Sequence, residues 1–90
     1  MVSAKVIVKN PMGLHLRPAS VLSETALRYK AKISFKYKHN IANVKSILSI
    51  LGSCVKADTE IELICEGEDE EAALDAIRMI IESEFEDDFG

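Results

Sequence analysis

The segment Gly13-Leu14-His15-Leu16-Arg17-Pro18-Ala19-Ser20 places an imidazole two residues before a guanidinium and three before a proline. Proline is tolerated in a helix only in its first turn, so this spacing puts His15 at the mouth of a helix. A helix start presents backbone N–H groups that lack intrahelical acceptors and carries partial positive charge, which suits a phosphate. Arg17 adds a planar fork of donors matched to phosphate oxygens, and Gly13 lets the preceding loop approach closely. A ring nitrogen is a nucleophile, and once a phosphoryl group sits on it the added negative charge is favoured by those donors and cations. This points to transient phosphoryl transfer at His15. On spacing alone, an exposed or capping histidine with no reactivity is also consistent with the pattern.

Ser46 is the second candidate. It stands as an N-cap before Ile47, Leu48, Ile50 and Leu51, at the start of a short helix predicted to run to about residue 53. A helix that short cannot bury all four apolar side chains. His39 falls in a turn with no motif around it, and no chemistry is assigned to it. Cys54 and Cys65 lack the spacing of a metal knuckle and are too few for a secreted disulfide framework, so both read as reduced thiols; no metal site and no cofactor are expected. Nothing around His15 pairs an acid with a base or gathers metal ligands, which argues against an independent enzyme.

The elements that must position these residues are legible from period. Residues 2–9 read as a strand, with Val2, Ala4, Val6 and Val8 inward and Ile7 breaking the alternation, and Asn10-Pro11-Met12-Gly13 ends it as a turn. Ala19, Leu22, Ala26 and Tyr29 recur at helical steps over residues 18–30. Ile33, Phe35 and Tyr37 alternate against lysines over 31–38, and Lys38-His39-Asn40 turns the chain into 41–44 as a hairpin. A further strand over 59–66 sets Ile61, Leu63 and Cys65 inward and Glu60, Glu62 and Glu66 outward. Ala73, Leu74, Ile77, Ile80 and Ile81 stripe a last helix over 69–84, whose acidic first turn favours the helix dipole. The order is β-α-β-β-α-β-α. Alternating strands have one wet face, so the expectation is an α+β fold: an antiparallel sheet with helices on a single side.

At 90 residues the chain can close one hydrophobic core, and residues 1–90 read as one domain. The longest apolar runs are three residues, such as Val6-Ile7-Val8, against the ~20 needed to cross a bilayer, and the N-terminus lacks a signal-peptide progression. A cytoplasmic chain is expected, with no membrane insertion. The net charge of −4 conceals a division: residues 1–58 carry ten Lys or Arg against Glu24 and Asp58, a net +8, and residues 59–90 carry a net −12. The acidic end, residues 82–90, reads as a fraying tail. The basic half could meet an acidic partner or a phosphate. Nucleic acid is the poorer partner, because Phe35 and Tyr37 share a face with Ile33 and aromatics make up only 6% of the chain.

Gly-Leu-His-Leu-Arg-Pro-Ala-Ser resembles the active-site signature of HPr, the histidine-containing phosphocarrier of the bacterial phosphoenolpyruvate-dependent sugar phosphotransferase system. The resemblance covers nearly the whole chain, including Asn43-Val44-Lys45-Ser46-Ile47-Leu48 and the strand-to-helix turn over 67–72. It implies an open-faced sandwich, four antiparallel strands covered on one face by three helices. It implies that His15 accepts phosphate at Nδ1 from phosphorylated Enzyme I and passes it to IIA domains of sugar permeases, with Arg17 stabilising the phosphate and Pro18 entering the helix. It further implies regulatory phosphorylation of Ser46 by an ATP-dependent HPr kinase/phosphorylase, the modified form serving a catabolite control protein, and a monomeric state. Leu16, Ile47, Leu48 and Leu51, with Arg17, are expected to form an apolar docking patch on which Lys45 supplies part of a positive rim. The family usually has glycine where this chain has Cys54, so the second helix is expected to end a turn early. The alternative within the same fold is a regulatory homologue, serving nitrogen or catabolite control, not used mainly for sugar uptake.

Overall fold

A computed structural model of the chain describes residues 1–83. The expected acidic tail therefore lies, from residue 84 on, outside the described residues. The order is β1 (Val2–Ile7), α1 (Leu16–Ala26), β2 (Lys32–Tyr37), β3 (Asn40–Asn43), α2 (Ile47–Gly52), β4 (Glu60–Glu66) and α3 (Glu70–Glu82). All strand pairs are antiparallel, and the sheet order β1-β4-β2-β3 inserts the last strand between the first two. The three helices cover one face: α3 lies on β1 and β4, α1 lies between α2 and α3, and α2 reaches the β3 edge. Period-2 burial explains the layers. Ile33 and Phe35 of β2 and Ile61, Leu63 and Cys65 of β4 point into the core, where Leu22 of α1 and Ile77 of α3 meet them. Each such side chain contributes roughly 1.5–3 kcal/mol by leaving water.

The outer face is open, and it settles where the two charge signs go. Because β4 is central, Glu62 is flanked by Lys5 on β1 and Lys36 on β2, and Glu66 stands opposite Lys32. The acidic strand of the second half is thus interleaved with lysines of the first, and the two charge halves do not separate cleanly on this face. Opposite charges facing across strands favour this register by a few tenths of a kcal/mol each.

Two boundaries differ from the sequence expectation. Helix α1 begins at Leu16 and ends at Ala26, short of residue 30, because both carboxylate oxygens of Asp69 accept the Lys30 and Ala31 amides at 2.8 Å and draw the chain out into β2. Those amides hold the Asp69 carboxyl below its usual range, the Lys30 bond being the largest cause. The expected early end of the second helix does not occur. Helix α2 runs to Gly52, the Cys54 N–H donates to the Leu51 carbonyl at 3.2 Å, and Cys54 itself adopts the left-handed φ of 56°. Side chains tolerate that conformation at a cost of about 1 kcal/mol, so a glycine is not needed to stop the helix.

Candidate functional site

The loop between β1 and α1 is held along its length by backbone constraints. Val8 leaves the strand still paired, its N–H donating to Thr59 O at 2.9 Å and its carbonyl accepting from Asp58 N at 2.8 Å. Lys9 N donates to Ile81 O at the C-terminal end of α3, at 3.2 Å. Asn10 then closes the turn twice: its carbonyl accepts from Gly13 N at 2.9 Å and its Oδ1 from Met12 N at 2.8 Å. Asn, Pro and Gly at the first, second and fourth positions are the residues a type I turn favours. Gly13, at φ 71°, is pressed on the 55–56 segment so closely that a Cβ there would lie 2.5 Å from Val55 O and 2.8 Å from Lys56 Cα. Leu14 N donates to that same Val55 carbonyl at 3.0 Å, and its buried side chain joins the core.

His15 emerges from this scaffold as the N-cap residue of α1, extended at φ −84° and ψ −170°. Its carbonyl accepts from Ala19 N at 3.0 Å, while its side chain makes no capping bond. The half-buried ring is therefore held by its backbone, and its nitrogens make no hydrogen bond among the described residues. Leu16 and Arg17 present the first N–H groups of the helix, and buried Pro18 removes the third orphan donor. Arg17 is exposed and, among the described residues, enters no ion pair. Exposed Lys9 and Lys56 border the loop through their backbones and are likewise unpaired among the described residues. Among the described residues, the result is an imidazole without a capping bond at a helix start, with exposed cations that enter no ion pair on the same loop and helix turn, an environment suited to a phosphoryl group.

Ser46 lies at the other end of the helical layer. As N-cap of α2 it takes an extended conformation, and its Oγ accepts from Ser49 N at 3.2 Å. The Ser23 hydroxyl of α1 donates to the Lys45 carbonyl at 3.0 Å, which fixes the start of α2 beside Ser23. Ser23 is eight residues beyond His15, about 12 Å along α1 at 1.5 Å per residue. After α2, the Val55–Leu14 bond returns the chain to the loop. Helices α1 and α2 therefore run in opposing directions, with His15 near one end of the pair and Ser46 toward the other.

The apolar residues of the expected docking patch divide. Leu16 and Leu48 are 60% and 80% exposed, whereas Ile47 and Leu51 are half-buried against the core. Lys45, expected on the rim of that patch, is half-buried and bonded to the backbone. Its Nζ donates to the Tyr29 carbonyl at 2.8 Å, beyond the C-terminal end of α1 and so at the far end from His15. The carbonyls left unsatisfied at a helix end draw that cation there. Several positioning groups escaped the sequence reading: Asn10 as more than a turn former, Ser23 as the anchor of Lys45, Ser49 whose Oγ accepts from Asn43 N at 2.8 Å, and Lys56 beside the loop. Only Asn10 had a local signal, the Asn-Pro-x-Gly spacing; the others act across tertiary contacts.

Comparison with known proteins gives a consistent result. The family model described as the PTS HPr component phosphorylation site matches residues 2–83. Phosphocarrier protein HPr of Treponema pallidum is 36% identical over 88 residues, covering 98% of this chain and all of that protein. Among solved structures, HPr-C-His of Thermoanaerobacter tengcongensis superposes with a TM-score of 0.88 at 35% identity, over 92% of this chain and 93% of that one. The Bacillus subtilis catabolite repression protein Crh, solved as a dimer with a swapped domain, gives 0.76 at 32% identity over 96% and 99%.

Proposed function

This chain belongs to the HPr phosphocarrier family, and from that membership we propose that His15 takes a phosphoryl group from phosphorylated Enzyme I and delivers it to IIA domains of sugar permeases. A carrier of this kind is not itself a catalyst. In the first transfer a ring nitrogen of His15, Nδ1 in the family, forms the N–P bond with its lone pair. The bond from phosphorus to the donor breaks, and the donor keeps that electron pair. In the second transfer a nucleophile of the accepting domain forms the new bond to phosphorus with its lone pair, and the N–P bond breaks with its electrons returning to the ring. The observation that carries the reading is the His15 side chain, which makes no capping bond at the N-cap of α1, two residues before exposed Arg17, which enters no ion pair among the described residues. Arg17 and the Leu16 and Arg17 amides neutralise the phosphoryl oxygens, and Pro18 holds the helix start. Exposed Leu16 and Leu48, backed by half-buried Ile47 and Leu51, form the docking surface for acidic partners. The site acts as a monomer in the cytoplasm.

Ser46 is the regulatory position in this reading, phosphorylated from ATP by an HPr kinase/phosphorylase. A phosphate at a helix N-terminus is well tolerated, yet it adds about two negative charges beside the docking surface and opposes acidic partners. The likeness to Crh favours a second reading, in which the chain serves catabolite control through Ser46 more than sugar uptake. Incubation with phosphoenolpyruvate and Enzyme I tests the carrier: we expect a mass gain of one phosphate that is lost in acid and absent from His15→Ala. Equal labelling of that variant overturns the proposal. Onward transfer of the label to a IIA domain separates the first reading from the second, which predicts no onward transfer and, in a separate incubation with ATP and the kinase, acid-stable label at Ser46.

A further inference from the structure

We propose that Asn10 is a positioning residue for phosphoryl transfer at His15, an inference that rests on the reading of His15 as the acceptor. Turn residues are ordinarily exposed, yet Asn10 is only 2% exposed, the most deeply buried polar residue among those described. Two of its bonds, Oδ1 from Met12 N and carbonyl from Gly13 N, fix the path of the three residues that lead into Leu14 and His15. The residue before it is tied to Ile81 of α3 and the one before that to the 58–59 turn, so Asn10 is the joint between a rigid frame and the loop that presents the ring. It touches no reacting atom and acts through the backbone, five residues ahead of His15.

The consequence is specific to rate. Transfer requires the ring nitrogen within roughly 3–3.5 Å of phosphorus and in line with the breaking bond, and a displacement of about 1 Å can cost up to ~10²-fold. Donor docking instead uses Leu16 and Leu48, on helices that neither of those two bonds joins. Loss of the Oδ1 acceptor should therefore lower the maximal transfer rate and leave the apparent KM for the donor nearly unchanged.

The test is steady-state phosphorylation by the charged Enzyme I donor, with stability measured alongside. Asn10→Ala is expected to lose about tenfold in maximal rate with KM within about twofold of the parent. Asn10→Ser, whose shorter hydroxyl holds the Met12 amide more weakly, is expected to fall between the two. Ile33→Val, a core truncation away from the loop, controls for general destabilisation and is expected to keep the parental rate. Parental rates in Asn10→Ala, or an equal loss in Ile33→Val, overturn the positioning role. If Asn10→Ala does not fold, a parental rate in Asn10→Ser does so. A parent that takes no acid-labile phosphate overturns instead the assignment of His15, and the two failures are distinct.

Discussion

Replacing Gly13 by alanine probes the contact that seats the loop on the 55–56 segment. A Cβ at this position meets Val55 O at 2.5 Å and Lys56 Cα at 2.8 Å, both backbone atoms that cannot swing aside. Ordinary contact begins near 3.4 Å, so the loop or the segment must yield by roughly 0.9 Å on the Val55 side. The left-handed φ of 71° adds about 1 kcal/mol for a residue with a side chain. Overpacking against backbone contributes a further ~1–3 kcal/mol, for a total of about 2–4 kcal/mol. For a domain of this size each kcal/mol lowers Tm by roughly 4–8 °C, so a fall of at least about 8 °C is expected. The shift also moves Leu14, whose N–H shares Val55 O, and with it His15; a drop of about ten- to a hundredfold in phosphoryl uptake should follow. Gly52→Ala is the internal control, because a Cβ there enters open space at a residue of α2 with ordinary φ. That variant should be neutral or stabilised by up to about 1 kcal/mol, with unchanged uptake. Urea unfolding followed by circular dichroism, paired with the uptake assay, reads both quantities. A Gly13→Ala chain within about 0.5 kcal/mol of the parent would refute the close-contact reasoning, as would a Gly52→Ala chain that loses as much.

Three other outcomes follow from the same geometry. Ser46→Ala should cost about 0.5–1 kcal/mol in urea unfolding, since it removes the acceptor for Ser49 N, whereas Ser46→Asp keeps a cap of similar quality; equal losses in the two would contradict the capping role. Stability should decline in acid as Asp69 protonates. Its folded carboxyl lies below the ordinary 3.8, so the contribution is fully present above that value and is lost as pH falls through the folded one. Asp69→Asn should be less stable at pH 7 and show a flatter acid limb; an unchanged limb would refute this. A thiol reagent at neutral pH should modify exposed Cys54 and spare Cys65, whose thiol is pushed up to about 11 by burial and then by Glu70 and Asp69. Since Cys65 ionises more readily unfolded, its contribution to stability is lost as pH rises from about 9 toward 11. Rapid modification of both thiols in the folded chain would count against the burial.

Much of this was readable before any coordinates. Alternation over Ile61, Leu63 and Cys65 placed β4 with its inward face, and the stripe through Ala73, Ile77 and Ile81 placed α3, because period and polarity are local properties that a half-buried element must obey. His15, Arg17 and Pro18 were likewise found together, since proline confines a helix start to within a turn. The end of α1 was misjudged because Asp69, some forty residues away, holds the amides at 30 and 31. The partner of Lys45 is illegible for the same kind of reason, being a backbone carbonyl beyond the far end of another helix.

The residues that can carry chemistry, the order of elements and the faces they bury were determined by the chain itself, through spacing, backbone preference and the need to withdraw apolar surface from water. Tertiary structure alone decided how those residues are presented. Inserting β4 between β1 and β2 interleaves the two charge signs on the open face, and the Ser23–Lys45 bond sets the start of α2 beside a residue about 12 Å along α1 from His15. The seat of Gly13 on Val55 fixes the backbone that presents half-buried His15 at the start of α1, its side chain making no capping bond. Such contacts join residues far apart in sequence, and their geometry exists only once the core has closed.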